Sequence, residues 1–164
     1  MKYVFFLYIM TISLSFLGQK DFDQMVKGLI SKDVPVLTVE SLNKSISNGE
    51  VVVLLDAREP KEFTVSHLEN ALNCGYKSFD ADALAGVKKS APVVVYCSVG
   101  YRSDQIAAKL IKLGYTNVHN LYGGIFDWVN TGYPVFNENG KTNQIHGYDK
   151  NWGKWLIAGE KVFK

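Results

Sequence analysis

The stretch that most limits what this chain can fold into is an uninterrupted apolar run, Val93 to Tyr96, which follows Pro92 and stops at Cys97. A short, continuous, β-branched run suits an interior strand of a parallel sheet covered on both faces. After Ser98-Val99-Gly100-Tyr101 the period changes. Ile106, Ala107, Leu110, Ile111 and Leu113 recur at helical spacing, and Gly114 stands where a C-cap is expected. A strand that runs into a helix through so short a loop belongs to an α/β sheet, where ligands sit at the carboxyl ends of strands. Cys97 falls at such an end. A thiolate there would face loop amides and a helix N-terminus beginning near Arg102.

Each loop residue type has a use. Gly100 permits a positive φ that turns its amide inward. Arg102 offers a planar fork of donors suited to a sulfur oxyanion or a phosphate. The plainer alternative makes Cys97 a small buried hydrophobe. Such a residue needs no Gly at +3, Arg at +5 and Ser at +6, so the loop reads as the setting of a reactive thiolate.

The rest of the chain alternates in the same manner. Gln19 to Ser31 carries Phe22, Met25, Val26, Leu29 and Ile30 at helical spacing, and Pro35 to Thr38 reads as a short edge strand. Val39 to Ser47 is a helix ended by Asn48-Gly49, and Val51 to Leu55 a buried strand. Asp56 is expected to cap Arg58 to Val65, and Ser78 to Lys88 to be helical with Phe79, Leu84 and Val87 inward. Asn117 to Leu121 supplies the last strand, and Ile125 to Asn130 a short helix after Gly123-Gly124. Strands alternating with helices imply a parallel sheet with helices on both faces.

Composition narrows the function. With 164 residues, 47% hydrophobic and 21% charged, the chain has the material for one domain with short extensions. A net charge of +2 without a basic block gives nucleic-acid binding no electrostatic support. His67, His119 and His146 have no ligand spacing and no cysteine cluster, which argues against a metal site. Lys2 followed by the uncharged stretch Tyr3 to Leu17 has the layout of a signal peptide over residues 1–18, and hence of an exported, periplasmic or secreted protein. An uncleaved anchor, the one route to a membrane, and a core helix are the alternatives. In an oxidising compartment Cys74 could resolve or protect an oxidised Cys97, or be a half-buried structural cysteine.

The motif Cys97-x-x-Gly100-x-Arg102-Ser103 resembles the active-site loop of the rhodanese-like (sulfurtransferase) domain family. Other pieces agree in order: Asp56-Ala57-Arg58, Glu62-Phe63, Ser66-His67-Leu68, Ala71-Leu72-Asn73, Leu121-Tyr122-Gly123-Gly124 with Trp128, and Gly132-Tyr133-Pro134-Val135. Ser66 departs from a usual glycine, and Cys74 from a usual aliphatic residue. The resemblance covers residues 36–135, between an N-terminal helical extension (19–35) and a C-terminal extension (136–164), and implies a five-stranded parallel sheet. The six residues from Cys97 to Arg102 match the loop length of sulfur transfer, one shorter than in phosphatase and arsenate-reductase relatives.

The resemblance implies two-step covalent catalysis with no cofactor. Cys97 takes a sulfane sulfur from a donor such as thiosulfate, becomes a persulfide, and passes the sulfur to cyanide, a thiol or a protein acceptor. Amides from Ser98 to Ser103 would hold the persulfide, Arg102 would orient the donor, and Val99 and Tyr101 would form the rim. Asp56, Arg58, Glu62 and His67 would be structural, with Arg58 and Glu62 as an ion pair and His67 in packing and hydrogen bonding. A binding module that keeps the fold without the chemistry is the competing reading, and it leaves the thiol unexplained. The tail from Asn137 to Gly147 reads as loop. Beyond it, Tyr148, Trp152, Trp155 and Leu156 recur near helical spacing, to pack back on the body or to dock a partner.

Overall fold

The computed structural model describes residues 20–164, so the signal-peptide expectation for residues 1–18 lies outside the described residues. Five parallel strands, β1 (Val36–Leu37), β2 (Val53–Asp56), β3 (Leu72–Asn73), β4 (Val93–Tyr96) and β5 (Val118–Leu121), lie in the order β1-β5-β4-β2-β3. The apolar run Val93–Tyr96 is the central strand, buried along its whole length. Because side chains alternate across a strand, Val94 and Tyr96 join one apolar layer while Val93 and Val95 join the other.

The first layer holds α1 (residues 20–29), α2 (Val39–Ser47) and α5 (Gly124–Asn130). The second is built on α4 (Tyr101–Lys112), through Ile106, Ala107 and Leu110. Helix α4 ends as its sequence foretold. Gly114 takes φ +91°, its N–H reaches the Ile111 carbonyl, and the Tyr115 N–H reaches Leu110, satisfying carbonyls the helix leaves open. Helix α2 is closed at the other end, where the Thr38 hydroxyl accepts the Ser41 N–H at 3.3 Å.

Three local expectations need correcting. Ser78 to Lys88 is not a helix: only Ala81–Leu84 forms a 3₁₀ turn, begun by Asp80 accepting the Asp82 N–H and followed by Gly86 at φ +80°. Short aspartate side chains compete with the helix for backbone donors there. The helix α3 is Pro60–Val65, and Glu59 begins it, with the Glu62 carboxylate accepting the Glu59 N–H. Asp56 instead accepts the Arg58 N–H in the preceding turn.

The tail is not loop. Strands β6 (Val135–Asn137) and β7 (Gly140–Thr142) form a hairpin that turns at Glu138-Asn139, with Gly140 at φ +103° opening β7 opposite Asn137. Strand β8 (Gln144–His146) pairs in parallel with β9 (Glu160–Val162), and the single turn α6 (Lys150–Gly153) lies between them. Both extensions are part of the body: Phe22 and Val26 at one end, Ile145 and Leu156 at the other, are buried in the same cluster. Among the described residues no helix is long and apolar enough to cross a membrane.

Candidate active site

Cys97 leaves the carboxyl end of β4, and the next three residues turn the chain into α4. Gly100 is the N-cap at φ +114°, a conformation that favours glycine, and it brings its N–H to 3.2 Å from Cys97 Sγ. The loop is held from behind. The Gly100 carbonyl accepts from the Asp104 N–H at 3.0 Å, the Ser103 hydroxyl at 3.1 Å and Asn120 Nδ2 at 3.0 Å. With that carbonyl tied down, the amide on the other side stays aimed at the sulfur.

A second brace comes from α5. The Ile125 N–H reaches the Cys97 carbonyl at 2.8 Å, and the Phe126 N–H reaches that of Ser98 at 3.1 Å. The unpaired amides of a helix start thereby anchor the loop. Gly124 makes the approach possible: a Cβ there would collide with the Cys97 carbonyl oxygen and lie 2.8 Å from the Ser98 carbonyl. Asn120 and Gly124 are therefore functional supports: Gly124 stands in the glycine-pair motif without having been given this role, and Asn120 lies outside the motifs, marked only as a polar residue inside an apolar strand.

The charged residues pair differently from the expected Arg58–Glu62 bridge. Arg58 binds Asp56 at 2.7 Å, both fully buried, and also donates to the Ser66 carbonyl. Arg102 takes Glu62 through two 2.7 Å bonds, Nη1 to Oε2 and Nη2 to Oε1, and adds the Ser98 hydroxyl at 3.0 Å. The reason is positional. Arg58 precedes α3, so the four-residue spacing to Glu62 is not that of one helix face, and Asp56 two residues back closes a tighter turn. Burial pushes the Glu62 carboxyl up, but the Arg102 hydrogen bonds and charge, with Arg58 beyond, hold it below the usual carboxylate range. Burial likewise opposes the Arg102 charge, and Glu62 together with the Cys97 sulfur keeps the guanidinium firmly protonated.

Cys97, Ser98, Val99, Tyr101, Arg102 and Glu62 line a cavity of about 540 Å³. Other expected site residues do not. The Ser103 hydroxyl points into the body, its one proton shared between Asn120 Oδ1 at 2.7 Å and the Gly100 carbonyl at 3.1 Å, so it braces the loop rather than facing a ligand. His67 stacks on Phe63 with centroids 3.9 Å apart and holds the Phe63 carbonyl through Nδ1. The opposite wall comes from the tail, where His146, Tyr148, Asp149 and Trp152 close the cavity. Burial, against the pull of Glu62, holds His146 below the ordinary imidazole range, and its Nδ1 accepts the Tyr148 N–H at 3.0 Å. Among the described residues no group of His, Cys, Asp and Glu is placed to hold a metal ion.

A resolving role for Cys74 does not fit the sheet. Asp56 stands in register with both Asn73 and Tyr96, so Cys74 and Cys97 are separated by two strand spacings, about 9–10 Å. A disulfide needs Cα atoms roughly 4.4–6.8 Å apart, and both cysteines are unbridged.

Residues 38–131 match the family model of the rhodanese-like domain. A sulfurtransferase of Allochromatium vinosum is 35% identical across 58% of this chain and 89% of its own length. The thiosulfate sulfurtransferase GlpE of Pseudomonas aeruginosa is 33% identical across 62% of this chain and 89% of its own. Among solved structures, a rhodanese-like domain from an Anabaena protein superposes with a TM-score of 0.58 over 63% of this chain and 79% of that one, at 23% identity.

Proposed function

The chain belongs to the rhodanese-like domain family, and on that footing we propose that it transfers sulfane sulfur through a persulfide on Cys97. The observation that carries this reading is the Gly100 amide held on Cys97 Sγ by a loop braced on both sides. A preorganised donor aimed at the sulfur stabilises negative charge there whether it sits on the thiolate or on the outer atom of a persulfide.

In the first half-reaction the Cys97 thiolate attacks the outer sulfur of thiosulfate. A new S–S bond forms to Cys97, the old one breaks, and sulfite leaves with the electron pair. In the second, a nucleophilic acceptor attacks that outer sulfur, and the pair of the broken bond returns to Cys97. Arg102 acts here as a positive charge and a brace, since both of its terminal nitrogens are already bound to Glu62.

Incubation with thiosulfate tests this. Wild type should gain one sulfur atom, about 32 Da by intact mass, and lose it to cyanide as thiocyanate, while Cys97→Ser does neither. A wild-type protein that takes no adduct from any sulfane donor would overturn the reading in favour of a binding module.

A further inference from the structure

The cavity over Cys97 is far larger than the small ions of the assay above require, and its charges balance. At about 540 Å³ it lies in the range, roughly 300–1,000 Å³, that holds organic ligands of several rings. Cyanide and thiosulfate would fill a small corner of it. Its charges balance: Lys61, Lys77 and Arg102 stand against Glu59, Glu62 and Asp149. The lining therefore has no net positive field to concentrate a dianion. What it has in excess is aromatic surface, from Tyr76, Tyr101, Tyr148 and Trp152.

Two of those rings come from the tail, beyond the residues that match the family model. Tyr148 stands out by its backbone. At φ +64° it is, among the described residues, one of two non-glycine residues in the left-handed region, a conformation that is strained for a bulky side chain. Core packing does not account for the strain, because the residue is 47% exposed. The conformation instead places the ring against the Arg102 guanidinium, 5.0 Å from its carbon, with the Tyr148 N–H held by His146. Asp149 follows directly and caps α6 by accepting from the Asn151 and Trp152 N–H groups, which fixes Trp152 on the same wall.

We infer that Tyr148 and Trp152 make this wall a specificity surface for the sulfur acceptor, selecting a low-molecular-mass organic thiol with a flat, aromatic body. The inference rests on the persulfide reading and names its second substrate. The acceptor thiolate attacks the outer sulfur of the Cys97 persulfide. A new S–S bond forms on the acceptor, the bond to Cys97 breaks, and its electron pair returns to Cys97 as thiolate. The sulfur keeps its oxidation state, so no external oxidant or reductant enters. The aromatic body lies on the tail wall while its sulfur reaches the loop.

The test separates loading from discharge. Full-length protein is loaded with thiosulfate, the donor is removed, and loss of the sulfur adduct is followed on addition of 4-mercaptophenylacetate, 2-mercaptoethanol or cyanide. Wild type should discharge to the arylthiol at a half-saturating concentration about ten-fold below that for 2-mercaptoethanol, the worth of one good aromatic contact. Tyr148→Gly removes the ring and relieves the backbone, since glycine is at ease at that φ. It should erase the arylthiol preference, and Tyr148→Phe should restore it. Equal discharge of wild type to both thiols would overturn the inference and leave the wall to a protein acceptor. So would a Tyr148→Gly effect of the same factor on arylthiol and cyanide. Failure to load at all is a different result, and it sinks the persulfide reading itself.

Discussion

Cys74 and Cys97 occupy matching places and have opposite surroundings. Each follows a strand of the same sheet, each is one residue past the register of Asp56, and both are nearly inaccessible, at 3% and 1% exposure. The Cys74 thiol is a donor, facing the carbonyls of Asp56 and Gly75 at 3.5 Å. Burial, then the charges of Asp56 and Asp80, push it up to about 12. Cys97 Sγ is an acceptor, facing an amide, with a guanidinium as neighbour. Burial alone thus does not make a cysteine inert. The sign of the backbone dipole that meets the sulfur divides a packing residue from a candidate nucleophile.

The largest effect should come from exchanging the two roles by mutation. Cys97→Ser removes all sulfur loading, whereas Cys74→Ala leaves it standing. If Cys74→Ala abolished loading while the fold held, the contrast would fail. Iodoacetamide at pH 8 sharpens the same point, and peptide mapping should find Cys97 labelled first.

Next in size is Gly124→Ala. The added Cβ meets the carbonyls of Cys97 and Ser98 at a φ of +58°, so the start of α5 has to withdraw from the loop. A cost of about 3 kcal/mol in denaturant unfolding is expected, with loss of loading in the protein that remains folded. An unchanged loading rate would show that the α5 brace does not set the sulfur's environment.

Much of this was legible beforehand because it is local. The apolar run of β4, the helical period of α4 and the glycine in mid-loop each follow from a few adjacent residues, and the structure places them accordingly. The features that depart from the sequence expectations share a different cause. Which acid meets Arg102 is decided by α3 lying against the start of α4, forty residues away along the chain, and no spacing rule reports that. The β8–β9 pairing joins Gln144 to Glu160 across the α6 turn, and its short strands carry no alternation strong enough to recognise. The β6–β7 hairpin pairs the apolar Val135-Phe136 with the polar Lys141-Thr142, and strands of three residues carry too little alternation to mark it. The wall over the cavity was invisible for the same reason as the β8–β9 pairing: it exists only once the tail has folded back.

The Arg102–Glu62 pair gives the next test. Glu62→Gln keeps the shape and one acceptor but leaves a nearly buried guanidinium without its counter-charge, at a cost of about 2 kcal/mol. The pH dependence carries the signature. The Glu62 carboxyl is held below its unfolded value, so its contribution is present above the ordinary carboxylate range and lost as pH falls through the folded value. Wild type should therefore show an acid limb that is shallower in Glu62→Gln, and identical limbs would mean the pair adds nothing net.

The smallest effect returns to Cys74 and works at the opposite end of the pH scale. Its thiol ionises near 9 in the unfolded chain and near 12 in the folded one, so between these values the unfolded state loses a proton that the native state keeps. Stability is then full below pH 9 and falls as pH rises, by at most about 1.4 kcal/mol per pH unit from this group. Cys74→Ala should flatten that limb without touching neutral-pH loading. The slope that remains belongs to groups such as Tyr96, which burial and Asp56 also push upward. A limb as steep in Cys74→Ala as in wild type would mean that burial and the charges of Asp56 and Asp80 do not hold its proton, and the division between the two sulfurs would lose its physical basis.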